Sequence, residues 1–455
     1  MIVLTVLLAA ARVLAGENLD FSLHKLESGH PGPTLLVVGG IQGDEPGGFN
    51  AASLLATNYR IRYGNVWIVP NLNFISIINR SRGVHGDMNR KFAAIAENDP
   101  EYTTIKKIKP IICDEQVDLI LNLHDGSGFY RPNYVDKKHN PRRWGQSLII
   151  DQAHLNDDIH GNLEQVARQI VGIVNQHLLQ DEHIYHVKNT RTREGNKEME
   201  KTLTYFSIQN NKPAFGVEVS KSFPTHKRAY YHLRVIEAYM DLMGIEYEKN
   251  FTLDPRVVKT AINTNIQVAM YNNRIIFDMS NARKRLGYVP LKKNAAIDVT
   301  PSNPLIAVVG FNKGYKVYYG NRRLTRLYPD YCDYDESIDR ITMEIDGKRS
   351  DVTFGNMVHV NHSFQVLPQE GYRVNVIGYR KSGVKNESGI PITKREIQKR
   401  FSIDKSSQMF RVEVYRKKKF SGMVLVNFDN VSPALHAATP NKVSLAQRTP
   451  LTKIQ

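Results

Sequence analysis

Thr34 to Thr57 reads TLLVVGGIQGDEPGGFNAASLLAT, and this stretch decides the fold. Thr34 to Gly39 is a short apolar run rich in β-branched residues, the pattern of a strand buried on both faces. Pro46 to Thr57 reads as a helix with Pro in its opening turn, where its missing N–H costs nothing. The glycines between them let the chain turn sharply and bring backbone close to a ligand. Strand, glycine-rich turn and helix in succession are the unit of an α/β layer fold. In an open parallel sheet, ligands gather at the carboxyl ends of the strands, where this turn lies.

The same alternation continues outward. Asn65 to Pro70 (NVWIVP), Val117 to Leu123 (VDLILNL) and Ala214 to Val219 (AFGVEV) read as further strands. Leu163 to Leu179 and Tyr230 to Met243 carry apolar residues at helical spacing. The expectation is an αβα domain over residues 16–246 with a mixed, mostly parallel sheet. After Glu246-Tyr247-Glu248-Lys249-Asn250 the texture changes to short strands and turn signals such as Asn272-Asn273 and Asp346-Gly347. That suits two small β-rich domains, 251–338 and 339–430, the second sandwich-like, with a polar, Pro-interrupted flexible tail over 431–455. Residues 1–15 (MIVLTVLLAAARVLA) form an apolar stretch too short to span a bilayer comfortably, ending in a small-residue site, so they read as a signal peptide for export.

Composition narrows the classes. Of 455 residues, 41% are hydrophobic and 23% charged, which excludes a disordered or collagen-like chain. No apolar run after residue 15 is long enough for a polytopic membrane protein, and none predicts stable insertion once the signal is removed. Two cysteines, Cys113 and Cys332, exclude a scaffold held by disulfides. A formal charge of +16 favours an anionic partner: nucleic acid, anionic lipid or a polycarboxylate polymer. Export argues against nucleic acid, and no nucleic-acid module is visible.

The chemistry-bearing residues fall at the strand ends. Gln42 and Glu45, three apart across the glycine-rich turn, can both aim at one atom, and His124 stands at the end of the third strand. An amide oxygen, a carboxylate and an imidazole are three plausible ligands for a divalent cation with one position left open. Glu218 is a lone acid amid apolar strand residues, costly to bury unless functional, and a candidate general base. Arg82, with Asn89 and Arg90 in Gly86-Asp87-Met88-Asn89-Arg90, suggests a carboxylate clamp, since the Arg fork binds a carboxylate through two bonds. Trp144 closes an aromatic, basic loop from Tyr130 and is a candidate pocket wall. Thr204 and Tyr205 precede the Glu218 strand. His85, His139, His154 and His160 lack partners at ligand spacing.

The order Gly-Gly-Ile-Gln-Gly-Asp-Glu, Asn-Arg, strand-end His and strand Glu resembles the carboxypeptidase A-like zinc peptidases. With its β-rich second half it is similar to the cell-shape DL-carboxypeptidases of helical epsilon-proteobacteria, which trim peptidoglycan tripeptides to dipeptides by removing meso-diaminopimelate. The resemblance implies one zinc ion per chain on Gln42, Glu45 and His124, with Gln42 where most relatives carry His. It implies Glu218 as general base, Arg82 at the developing oxyanion, and Asn89 and Arg90 on the substrate's terminal carboxylate. Thr204 or Tyr205 takes the place of the family's mobile tyrosine; Thr204 is carried forward as the substrate-contacting one. The implied partner is a peptidoglycan stem peptide, and the implied location the periplasm. Two other readings share these residues: a deacylase of the aspartoacylase or succinylglutamate desuccinylase type, and a non-catalytic wall-binding relative. Asn250 stands in an Asn-x-Thr sequon with Glu248 two residues before it, a candidate glycosylation site. Nothing in the sequence speaks to oligomeric state.

Overall fold

The computed structural model describes residues 19–156 and 160–429; the expected signal peptide and flexible tail lie outside the described residues. Two compact units emerge, one from Asn18 to Asn263 and one from Thr264 onward.

The first unit runs β1 (His24–Glu27), β2 (Thr34–Val38), α1 (Pro46–Asn58), β3 (Tyr59–Tyr63), β4 (Asn65–Val69), α2 (Phe74–Asn79), α3 (Tyr102–Ile112) and β5 (Leu119–Gly126). It continues with β6 (Phe129–Tyr130), β7 (His139–Asn140), β8 (Ser147–Ile150), α4 (Leu163–Asn175), β9 (His186–Asn189), α5 (Leu203–Gln209), β10 (Ala214–Ser220), α6 (Thr225–Leu242), β11 (Glu246–Lys249) and α7 (Pro255–Ala261). Seven strands form the main sheet in the order β1-β4-β2-β5-β10-β8-β9. Its centre is parallel: β4 with β2, β2 with β5, and β5 with β10. β1 and β8 join antiparallel, so the sheet is mixed and mostly parallel, as the sequence implies. β2 is buried throughout, as expected for a strand covered on both faces. α1 packs against α6 and the sheet, and α4 against α6.

Register positions the site. In the β5–β10 pair Glu218 stands directly beside His124. β5 continues to Gly126, three residues past the expected end at Leu123, so His124 lies within the strand. The turn after β2 is fixed by close approach: a Cβ on Gly43 would fall 2.0 Å from the Ser76 carbonyl oxygen, and that neighbour is backbone.

The expectation ended this domain at 246. The compact unit extends to Asn263 because β11 pairs antiparallel with β3 and α7 packs on α6.

From Thr264 the described residues hold strands and short 3-10 turns but no α-helix. Residues after Arg340 build two four-stranded sheets around a shared core that includes Phe364, Phe410, Val412 and Val424. Upstream lie a three-stranded and a four-stranded sheet. Two separate domains, divided at 338, were expected; Thr264 onward instead packs as one compact unit. Buried Arg411 is one cause: it donates to the carbonyls of Gly287 (3.0 Å) and Tyr288 (2.9 Å), tying the late sheets to the earlier strands.

Candidate active site

A cavity of about 240 Å³ opens at the carboxyl ends of β2, β5 and β10, and it gathers every candidate site residue named from the sequence. Gln42, Glu45, Arg82, Asn89, Arg90, His124, Trp144, Thr204 and Glu218 all line it. Tyr205 does not, nor do His85, His139, His154 and His160.

Three lone-pair donors converge at its floor. His124 Nδ1 lies 3.2 Å from Gln42 Oε1 and 3.0 Å from Glu45 Oε2. All three side chains are buried. Burial alone would depress the His124 imidazole, but the Glu45 carboxylate outweighs it and raises the pKa, so the site attracts positive charge. The donor set therefore fits a divalent cation, with an amide, a carboxylate and an imidazole as its ligands. Among the described residues no three His, Cys, Asp or Glu side chains converge, because the third donor here is an amide.

Asp87 makes that amide usable. Its Oδ1 accepts from Gln42 Nε2 at 2.6 Å, which turns Gln42 Oε1 towards His124. Asp87 also accepts from the Asn89 backbone N–H at 2.9 Å and from Arg82 Nη2 at 2.9 Å. Burial works against its charge, yet the bonds from Gln42 and Arg82 hold its carboxyl below the usual range. One carboxylate thus fixes a ligand, a guanidinium and the Asn89-Arg90 turn.

A second brace lies behind Glu45. Glu45 Oε2 accepts from the Asp125 backbone N–H at 3.1 Å. The Asp125 side chain accepts from Gly47 N–H (2.8 Å) and Arg228 (2.7 Å) and meets His232 Nε2 at 3.1 Å. This locks the start of α1, where Glu45 is the N-cap residue, to α6. Gly47 is required there: its Cβ would lie 2.3 Å from Asp125 Oδ1 and 2.5 Å from Arg228 Cβ.

Cations surround the acids. Lys221 Nζ lies 3.2 Å from Glu45 Oε1 and 2.9 Å from Asp44, and Arg82 Nη1 lies 3.4 Å from Glu45 Oε1. Glu218 touches the cavity, but the surrounding protein strips most of its hydration. Burial, reinforced by Glu45 and Asp125 and opposed by His124, pushes its carboxyl up to about 7. Asn89 is committed at both ends, with Nδ2 3.2 Å from His124 Nε2 and Oδ1 accepting from Leu203 N–H at 3.0 Å. It orients His124 as it stands, so the carboxylate clamp falls to Arg90, which lines the cavity and anchors one nitrogen on the Asn89 carbonyl at 2.9 Å. Trp144 is held by Lys188, whose ammonium sits 3.8 Å over the indole and donates to the Pro141 and Arg143 carbonyls. Burial lowers Lys188 to about 8.

Asp87, Lys221, Lys188 and the Asp125–Arg228–His232 brace were not singled out from the sequence. Asp87 sits inside the segment quoted for the clamp. Arg228 and His232 are four apart, on one face of a helix. Lys188 and Lys221 carry no local signature.

The family model described as the catalytic domain of a carboxypeptidase controlling helical cell shape matches residues 2–263. A second, the C-terminal domain of a metallo-carboxypeptidase, matches residues 334–429. Among solved structures, the apo cell shape determinant protein Csd4 from Helicobacter pylori is 39% identical, with a TM-score of 0.82, over 90% of this chain and all of that one. Its tripeptide-bound form, also 39% identical, has a TM-score of 0.81 over 90% of this chain and all of that one. The mDAP-bound form of that protein, described as a D,L-carboxypeptidase, is 39% identical with a TM-score of 0.82 over 89% of this chain and all of that one. No match was found among the curated proteins.

Proposed function

The chain belongs to the family of carboxypeptidases controlling helical cell shape, and from that membership we propose that it is a periplasmic zinc carboxypeptidase. Its substrate on this reading is a peptidoglycan tripeptide stem, cut to a dipeptide with release of meso-diaminopimelate. The observation that carries the reading is the convergence of Gln42 Oε1, Glu45 Oε2 and His124 Nδ1, with Glu218 in register beside His124. The tripeptide and mDAP bound to the Helicobacter pylori relative support the substrate class.

A zinc ion held by Gln42, Glu45 and His124 would polarise the scissile carbonyl and lower the pKa of an adjacent water. Glu218 accepts the proton of the attacking water and passes it to the leaving amine; a carboxyl near 7 suits both directions of that transfer. Arg82 reaches the same floor and meets negative charge as it develops on the carbonyl oxygen. Arg90 receives the free carboxylate of the terminal residue, which restricts cleavage to the end of a peptide. Asp87, Asn89 and Asp125 hold these groups in place. Among the described residues no helix is long and apolar enough to cross a membrane. The periplasmic location rests on the substrate and on the signal-like N-terminus.

The test is release of free meso-diaminopimelate from a tripeptide muropeptide by the zinc-loaded protein. Release that stops with a chelator, and that is missing in Glu218→Gln, is expected. A protein that binds zinc but releases nothing points to the deacylase reading; one that binds no metal points to a non-catalytic wall-binding protein.

A further inference from the structure

The loop between β6 and β8 presents a surface that the catalytic chemistry does not use. At its base Trp144 lines the cavity, and at its tip Tyr134 and Val135 are 70% and 65% exposed. Exposing an aromatic and an aliphatic side chain together is unfavourable unless something covers them. The loop is built to hold them there. Asp136 accepts from the backbone N–H groups of Lys138 (2.6 Å) and His139 (2.7 Å), and Val135 N–H donates to the His139 carbonyl at 2.9 Å. Asn140 Nδ2 donates to the carbonyls of Asp136 and Lys137, and Arg143 Nε to that of Lys137 at 2.9 Å. His139 stacks on Phe129 with ring centroids 4.8 Å apart. Arg131 ties the loop to the Ile184 carbonyl at 3.3 Å, and Ile184 is itself exposed.

The charge is one-sided. Arg131, Lys137, Lys138, Arg142 and Arg143 face a single acid, Asp136, whose carboxylate is consumed by the loop's own N–H groups. An apolar tip within a cationic loop, beside a cavity that takes a stem peptide, calls for a polymer with both sugar faces and carboxylates. We propose that this loop is a docking surface for the wall polymer: Tyr134 and Val135 lie on a glycan ring, and Lys137, Lys138 and Arg142 hold carboxylates of neighbouring stems. This rests on the function proposed above and adds a second point of attachment to it. Aromatic faces suit apolar sugar faces, and the basic side chains supply the complementary charge.

The test compares full-length wild type with Tyr134→Ser/Val135→Ser and with Lys137→Glu/Lys138→Glu, using Tyr331→Ser as an exposed control elsewhere. Co-sedimentation with purified sacculi and turnover of those sacculi should each fall roughly tenfold, about 1.4 kcal/mol of attachment, in both loop variants. Turnover of soluble tripeptide muropeptide should be unchanged, and the control should match wild type throughout. Loop variants that pellet with and digest sacculi like wild type overturn the proposal. So does an equal loss on soluble and polymeric substrate, which would place the loop in the chemistry. Loss of binding to phosphatidylglycerol vesicles with sacculus binding intact would assign the surface to lipid and overturn it too. Absence of turnover in wild type would be a failure of the catalytic assignment alone, because sedimentation still reads the docking.

Discussion

Gln42 offers a cation one good atom and one bad one. Its carbonyl oxygen is a ligand and its NH2 group a repellent, so the amide works only if something takes the NH2. Asp87 takes it at 2.6 Å. Asp87→Ala should therefore free the amide to rotate and weaken metal binding by about 10–100-fold, read by competition with a chelator. Unchanged affinity would show that Gln42 is oriented by other means. Glu218 makes the second prediction at this scale. It must be a carboxylate to accept a proton, and burial pushes its pKa up to about 7. Turnover should be full above that value and fall as pH drops through it, well above the ordinary glutamate range near 4.3. Glu218→Gln should cost about 10²–10⁴-fold in kcat while sparing binding of the product. The ligands and the base were legible because they stand at strand ends in a readable order. Asp87, Asp125 and Lys221 were not, because what they do depends on contacts up to 177 residues apart, as between Asp44 and Lys221.

Among elements, the central strands were legible because they are buried on both faces and read as unbroken apolar runs. β1 and β9 were not: each has four residues, none of them buried. α6 begins at Thr225, five residues before the expected Tyr230, because its first turn (THKR) is polar and only Pro224 marks the start. α4 stops at Asn175, before the expected Leu179. Two predictions belong here. Gly47→Ala places a methyl against Asp125 and Arg228 at the start of α1. It should destabilise the protein by about 1–3 kcal/mol, read as a lower Tm, and should also weaken metal binding by displacing Glu45. Lys188→Met keeps the bulk under Trp144 but removes the cation and its two carbonyl bonds. It should raise KM for the stem peptide several-fold with a smaller change in kcat, an indication that the loop shapes the pocket. Equal kcat and KM to wild type would show that Trp144 needs no such support.

For the whole molecule, the change of texture near residue 250 was legible because helical periodicity stops there. The end of the compact unit at Asn263 was not, since β11 and α7 belong to it through pairing and packing that no local pattern announces. The unity of the second half was hidden for the same reason: Arg411 reaches Gly287 across 124 residues. The +16 charge suits a substrate rich in carboxylates, which is a statement about association and says nothing about which bond is cut. That question is answered by one measurement: zinc-loaded protein incubated with muropeptides carrying dipeptide, tripeptide, tetrapeptide and pentapeptide stems, with products identified by mass. Tripeptide stems alone should be converted, to dipeptide plus free meso-diaminopimelate, and a chelator should stop the conversion. Conversion of no stem by a metal-loaded protein, or cleavage inside the longer stems, would contradict an exopeptidase built on Gln42, Glu45, His124 and Glu218.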